Sequence, residues 1–422
     1  MGKLGKFVIE ESGRLRGKVR VSGGKNSVLP IIAATLLTDE TCTIHAVPAL
    51  TDVLVMQNLI EDFGGTTYWD TSRETLTITV KNIVKTDASY ELCAKMRASF
   101  LAAGPVLARL GEVKMSLPGG CAIGSRPVDL HIKGLAALGA TITQEHGYVH
   151  ARARRLYGAN IYLDFPSVGA TENIMMAAVL ARGQTIIQNC AVEPEIVDLS
   201  NFLTAMGAQI RGTGTGTIRI NGVEKLTGAT HTIIPDRIEA GTFMLAAAIT
   251  NGDVELTNVV VDHLKPTIAK LREAGITIDE TEEGLRVTGS GTRRAIDVKT
   301  LPYPGFPTDM QAQFLSMLAT TPGTNIITET VFENRFMHVP ELVRMGADIK
   351  IDSRSAIIEG VPKLTGTQVK ATDLRAGAAL ILAALAAQGV TEINDIFHVD
   401  RGYFRFDEKL RSLGAKILRI DG

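Results

Sequence analysis

One phrase recurs along this chain: an apolar residue, a glycine, then a small or apolar residue leading into a strand pattern. It stands at Phe63-Gly64, Leu138-Gly139-Ala140, Met206-Gly207-Ala208, Ala274-Gly275-Ile276, Met345-Gly346-Ala347 and Leu413-Gly414-Ala415. The glycines are 75, 68, 68, 71 and 68 residues apart. Self-similarity at a fixed period means one supersecondary unit copied in series, so the fold must be assembled from six similar pieces.

Each copy reads alike. An Ala-rich helix such as NSVLPIIAATLL or DLRAGAALILAALAA precedes a short strand such as CTIHAV or DVELTNV. An amphipathic helix follows, as in PELVRMG, and its glycine is placed to cap the C-terminus in the left-handed conformation. Two more strands close the unit. The predicted class is α/β, built from six βαβαββ units with sheets outside and helices inside. The phrases Leu226-Thr227-Gly228 and Leu364-Thr365-Gly366 are matched by Leu15-Arg16-Gly17 near the start, while the last copy stops early at ILRIDG. Residues 1 to about 22 are therefore expected to complete the sixth copy. Three copies per domain gives residues 23–235 as one domain and 1–22 with 236–422 as the other. Two crossing linkers, near Val21-Ser22 and Ile234-Pro235, suggest a cleft that opens and closes.

A length of 422 residues fits two domains better than one. With 44 Lys and Arg against 45 Asp and Glu, there is no basic excess for a nucleic-acid or acidic-membrane surface. Any anion site must be a local cluster of cations. The longest apolar run, Ala376 to Ala387, is too short to cross a bilayer, and the N-terminus lacks a signal-peptide pattern. Cys42, Cys93, Cys121 and Cys190 are scattered without metal spacing, and the eight histidines show no HxH or HExxH. These readings predict a cytoplasmic protein with no membrane segment, no metal and no cofactor.

Polar residues mark the expected starts of the Ala-rich helices: Lys25-Asn26, Arg97, Glu172-Asn173, Asp236-Arg237, Asp309 and Asp373 with Arg375. Asp236 and Asp373 suit either capping or function. Cations oppose the dipole at a helix N-terminus, so Lys25, Arg97, Arg237 and Arg375 read as anion ligands. The loop LPGGCAIGSRPVDLH, 117–131, places Cys121 among glycines with Arg126 five residues on, a setting that favours thiolate and close ligand approach. Cys42, Cys93 and Cys190 fit inert core positions. GGKN at 23–26 departs from a phosphate loop at Val19 and Asn26, and GTGTGT at 212–217 reads as a hairpin turn. His338 and His398 read as structural.

Taken together, GGKNSVLPIIAA, MRASFLAAGPVLARLG, LPGGCAIGSRPVDLHIKGLAALGA, PSVGATENIMMAA, FPTDMQAQF, TVFENRFMHVPEL, ATDLRAGAALILA and DRGYFRFDEKLRSLGA resemble the UDP-N-acetylglucosamine 1-carboxyvinyltransferases along essentially the whole chain. These are the enolpyruvyl transferases of the first committed step of peptidoglycan synthesis. The resemblance implies a two-domain inside-out α/β barrel of six βαβαββ repeats. It implies phosphoenolpyruvate and UDP-N-acetylglucosamine as substrates, with phosphate leaving. Cys121 matches the acid that forms a covalent adduct with phosphoenolpyruvate and reacts with epoxide phosphonates such as fosfomycin. Asp309 matches the general base. Lys25, Arg126 and Arg401 match phosphate ligands, Arg335 and Arg375 further cations, and Asn26 a substrate contact. Arg97, the stretch Arg126, Pro127, Val128, Asp129 and Leu130, then Ser167, Val168, Gly169, Asp309 and Val331 match positions that hold the nucleotide sugar. Asp373 and Arg237 match less firmly.

Where many members carry Lys two residues before Ser-Val-Gly, this chain has Phe165-Pro166, which points to the second paralogue of some Gram-positive bacteria. The related transferase acting on shikimate 3-phosphate lacks the PGGC loop. A non-catalytic sugar-nucleotide binder would not need Cys121 and Asp309 together, and RNA-cyclase-like activity would call for a basic face.

Overall fold

The computed structural model describes residues 5–117, 123–124, 128–289 and 291–421. The chain divides into two compact units. One comprises Met1–Ser22, Ala122–Gly124 and Pro235–Gly422, the other Gly23–Cys121 and Ser125–Ile234.

The repeat glycines explain how each copy turns. Gly64, Gly139, Gly207, Gly275, Gly346 and Gly414 all lie in the left-handed region, with φ between 89° and 104°. Each donates its N–H three residues back, and the next residue donates five back, as in Gly207 to Thr204 (2.9 Å) and Ala208 to Leu203 (2.9 Å). This double bond satisfies the orphan carbonyls of a helix end, and only glycine adopts the required conformation without strain.

In the 235–422 unit the sheets share one order. The strand entering the Ala-rich helix lies parallel to the strand leaving it, and two antiparallel strands follow. Asp297–Lys299, Thr324–Thr328, Ser355–Glu359 and Asp348–Asp352 form one such sheet. The N-terminal segment splits between the other two. Lys6–Glu10 inserts antiparallel between Val390–Asn394 and Ile417–Ile420, completing the sixth copy. Arg16–Arg20 runs parallel to Asp253–Thr257 and opens the fourth. The expectation that all of 1–22 completes the sixth copy is thus corrected, because the strand before an Ala-rich helix belongs to that helix's own unit.

In the 23–234 unit, Thr230–Thr232 plays the corresponding part for Thr41–His45. The second copy keeps a three-stranded sheet, Glu112–Ser116, Tyr148–Arg152 and Thr141–Glu145, with a single parallel bridge from Asp87 to Lys114 where a fourth strand would run.

Two of the Ala-rich helices are enclosed on every side. In Arg237–Ile249, every residue after Arg237 is buried, and the same holds for Leu374–Ala386 from Arg375 to Leu385. A helix apolar all round must be buried all round. Small side chains let Gln311–Leu318 and Leu374–Ala386 pack closely. No helix among the described residues is long and apolar enough to cross a membrane.

Candidate active site

In the 23–234 unit, Lys25 is the first residue of the helix Lys25–Ala34, and Asn26, half-buried, is the second. The Lys25 Nζ lies 2.7 Å from Asp52, whose side chain is 3% exposed. Ser27 donates to Asp198, which also accepts from His231 Nε2 at 2.8 Å, so the helix start is tied to Pro194–Ala205. Asp52 and Asp198 were not sequence candidates. Their signal is a charged residue inside an apolar helix pattern.

Arg97 opens the short helix Arg97–Ala102. Beside it lies His131, buried and neutral: burial and then the Arg97 charge push its pKa down to about 3. Asn173 Nδ2 meets His131 Nδ1 at 3.0 Å and the Phe100 carbonyl at 3.1 Å, while Asn173 Oδ1 accepts from Gly104 N–H at 2.6 Å. A Cβ on Gly169 would meet the His131 ring at 3.2 Å. One imidazole thus gathers three stretches: Arg97, Asp129–Leu130 and Ser167–Gly169. Ser167 caps the helix Val168–Ala178 by accepting from Ala170 N–H at 3.3 Å. The expected start at Glu172-Asn173 is corrected to this cap, a turn earlier. Ser-Val-Gly supplies the hydroxyl acceptor, and Glu172 and Asn173 then fall inside the buried helix. Phe165 is exposed, and Lys133 pairs with the adjacent Asp164 at 2.7 Å.

The 235–422 unit centres on Asp309, in the turn Thr308–Met310. Arg335 Nη2 donates to Oδ1 at 2.8 Å and Arg375 Nη2 to Oδ2 at 3.0 Å. Both arginine side chains are 4% exposed, whereas Asp309 keeps 27%. Burial alone would raise the Asp309 carboxyl, but the two guanidiniums outweigh it and hold it well below the carboxylate range. Arg375 also lies over the Tyr403 ring at 5.4 Å, and its Nη1 is buried with no hydrogen-bond partner. Gln313 ties this floor together, donating to the Asp309 carbonyl at 2.8 Å and the Tyr403 hydroxyl at 3.1 Å.

Asp373 and Asp236 both cap helices, each accepting two backbone N–H groups through Oδ1. Arg237 lies over the Tyr303 ring at 5.6 Å. Arg401, half-buried after the helix Phe397–Asp400, faces His398, whose pKa is lowered by burial and then by that charge. His338 is buried, and burial opposed in part by Asp373 lowers it to about 4. Val331 donates its N–H to Glu329 at 2.7 Å.

Cys121, Arg126 and Pro127 lie outside the described residues. From the same loop, Ile123 accepts from Asn334 N–H at 3.1 Å, and a Cβ on Gly124 would collide with the Glu333 carboxylate. Val128 is buried at the start of Asp129–Ala137. Cys42, Cys93 and Cys190 are buried, and burial raises their thiols, as expected of inert positions.

Cations and one clamped carboxylate arranged on this repeat invite comparison with enolpyruvyl transferases. The family model for EPSP synthase (3-phosphoshikimate 1-carboxyvinyltransferase) matches residues 9–410. UDP-N-acetylglucosamine 1-carboxyvinyltransferase 1 of Caldanaerobacter subterraneus subsp. tengcongensis is 62% identical over 98% of this chain and 99% of its own. UDP-N-acetylglucosamine 1-carboxyvinyltransferase 2 of Carboxydothermus hydrogenoformans is 60% identical with the same coverage. The chain belongs to the UDP-N-acetylglucosamine 1-carboxyvinyltransferase family.

Among solved structures, the enolpyruvyl transferase NikO from Streptomyces tendae superposes with a TM-score of 0.90 at 25% identity, covering all of both chains. EPSP synthase from Acinetobacter baumannii superposes at 0.77 and 21% identity over 99% of this chain and all of its own, a likeness of fold. Family members of both paralogue numbers, 1 and 2, are among the relatives.

Proposed function

We propose that the chain transfers the enolpyruvyl group of phosphoenolpyruvate to the 3'-hydroxyl of UDP-N-acetylglucosamine, releasing phosphate. The observation that carries this reading is Asp309 held between Arg335 and Arg375 in a chain 62% identical to a relative named for that reaction.

The chemistry runs by addition and elimination. The sugar oxygen bonds to C2 of phosphoenolpyruvate as C3 gains a proton. Loss of a C3 proton and of phosphate from C2 then restores the double bond. Cys121 is assigned as the proton donor and adduct-forming nucleophile, and Asp309 as the base for the hydroxyl. Lys25, Arg126, Arg335, Arg375 and Arg401 are assigned to the phosphate and carboxylate, with Asn26 contacting the substrate. Arg97, Arg126 to Leu130, Ser167 to Gly169, Asp309 and Val331 are assigned to the nucleotide sugar. Asp309 is a weak base while two guanidiniums hold it. Substrate anions that draw on Arg335 or Arg375 would loosen the clamp and raise its basicity. A reducing cytoplasm, where the Cys121 thiol stays reduced, suits this assignment.

The test is phosphate release. Mixing phosphoenolpyruvate with UDP-N-acetylglucosamine should liberate phosphate, and shikimate 3-phosphate should not substitute. Release from phosphoenolpyruvate with shikimate 3-phosphate but not with UDP-N-acetylglucosamine would instead assign the activity in the family model's description. Intact-mass analysis after incubation with phosphoenolpyruvate or an epoxide phosphonate should place an adduct on Cys121; an adduct on another cysteine, or none, overturns that role.

A further inference from the structure

We propose that Glu329 is a positioning residue that couples the nucleotide-sugar contact at Val331 to the turn carrying Asp309. What it couples rests on the reading above.

Glu329 follows the strand Thr324–Thr328 and is 1% exposed. Its Oε1 accepts from Thr300 Oγ1 at 2.8 Å, Val331 N–H at 2.7 Å and Phe332 N–H at 3.1 Å. Its Oε2 accepts from Thr308 Oγ1 at 2.8 Å. The carboxylate therefore joins the ends of two parallel strands, the loop after one and the turn that follows the other. Thr300 adds to this by accepting from Thr330 N–H at 2.9 Å.

Both arms lead to the clamp. Thr308 precedes Asp309 in the same turn. On the other arm, the Phe332 ring lies 5.4 Å from the Arg335 guanidinium, which donates to Asp309. A loop with two adjacent N–H groups and a turn with a hydroxyl thus close on one buried charge. A buried carboxylate is costly unless its lone pairs are met, and here four donors meet them. Tightening the Val331 loop on a bound sugar pulls on the same carboxylate that holds the Asp309 turn. Reactive geometry is sensitive to such ties, since a displacement of about 1 Å can cost roughly 100-fold in rate.

Thr308→Val cuts only the Asp309 arm, Thr300→Val removes one donor to Oε1 and the acceptor of Thr330 N–H and so loosens the loop carrying Val331, and Thr308→Ser keeps the hydroxyl. Thr308→Val should lower kcat by roughly 10- to 100-fold. Its KM for UDP-N-acetylglucosamine should stay within about twofold, the pattern of a transition-state defect. Thr308→Ser should restore kcat. Thr300→Val should act in the opposite sense, raising that KM more than it lowers kcat. Hydrogen exchange in the substrate-free protein supplies a readout independent of turnover: Glu329→Ala should speed exchange at Val331 and Phe332. An unchanged kcat in Thr308→Val, failure of Thr308→Ser to restore it, or unchanged exchange in Glu329→Ala overturns the proposal. A wild-type chain without phosphate release would sink the assigned reaction, and the exchange measurement would still decide the role of Glu329.

Discussion

In one unit a buried carboxylate, Asp52, holds a lysine; in the other, two buried arginines hold a carboxylate, Asp309. The scaffold beneath is the same, an Ala-rich helix beginning beside the charge. The difference lies in what each cluster can do when a partner is lost. Aspartate escapes an unfavourable burial by taking up a proton, whereas a guanidinium stays charged at any accessible pH. The Lys25 end is therefore adaptable, and the Asp309 end is committed to charge. A cluster of that kind is suited to meeting anionic substrates.

The largest effect should come from the committed end. Asp309→Asn leaves Arg335 and Arg375 buried with no neutralising charge there, which should cost about 3–5 kcal/mol in urea unfolding. Turnover should fall by roughly 100- to 10,000-fold, the range for loss of a general base. Asparagine keeps the shape, so it is a cleaner variant than alanine. Lys25→Met should lower activity too but cost clearly less stability, because Asp52 can protonate. Equal stability losses at the two ends would break the comparison.

The repeat was legible because glycine at a left-handed cap is a chemical requirement, and all six positions meet it. The cations were legible for a related reason: Lys25, Arg237 and Arg375 are charges that helix starts do not ask for. What pairs with each charge was not legible. Asp52 reaches Lys25 from a separate helix, Glu329 reaches Thr308 from the neighbouring strand of its own copy, and Gln313 reaches Tyr403 in the next copy, and one sequence carries no record of such neighbours. The start of the helix at Ser167 was missed because two polar residues inside a buried helix imitate an N-terminus. His338 reads as an ordinary structural histidine and His131 draws no reading of its own, because burial, which lowers both, is a property of the fold.

Those histidines give each unit a pH response of intermediate size. His131 is lowered to about 3 and His338 to about 4, from an ordinary 6.5. In the interval between, the unfolded chain binds more protons than the folded one, so stability is full above pH 6.5 and declines as the pH falls toward 3–4. The decline should total a few kcal/mol per residue. His131→Asn should flatten the acid limb for the 23–234 unit, and His338→Asn for the other, in unfolding curves taken from pH 7 to pH 4. An acid limb unchanged in both variants would remove the histidines from this account, and Asp309 could not replace them, since its depressed pKa acts only below the ordinary carboxylate value of 3.8.

The smallest expected difference lies at the helix caps. Asp236 accepts from Ile238 N–H at 2.8 Å and Glu239 N–H at 3.0 Å, and its charge also favours the dipole of Arg237–Ile249. Ser167 accepts one N–H at 3.3 Å and carries no charge. Asp236→Ala should therefore cost about 1–2 kcal/mol and Ser167→Ala about 0.5 kcal/mol in urea unfolding. If Ser167 contacts the nucleotide sugar, its alanine variant should raise the KM for UDP-N-acetylglucosamine by more than its stability cost suggests. Asp236→Ala should leave that KM close to the wild-type value. A Ser167→Ala variant that loses stability like Asp236→Ala, with KM unmoved, would make that serine a cap and nothing more.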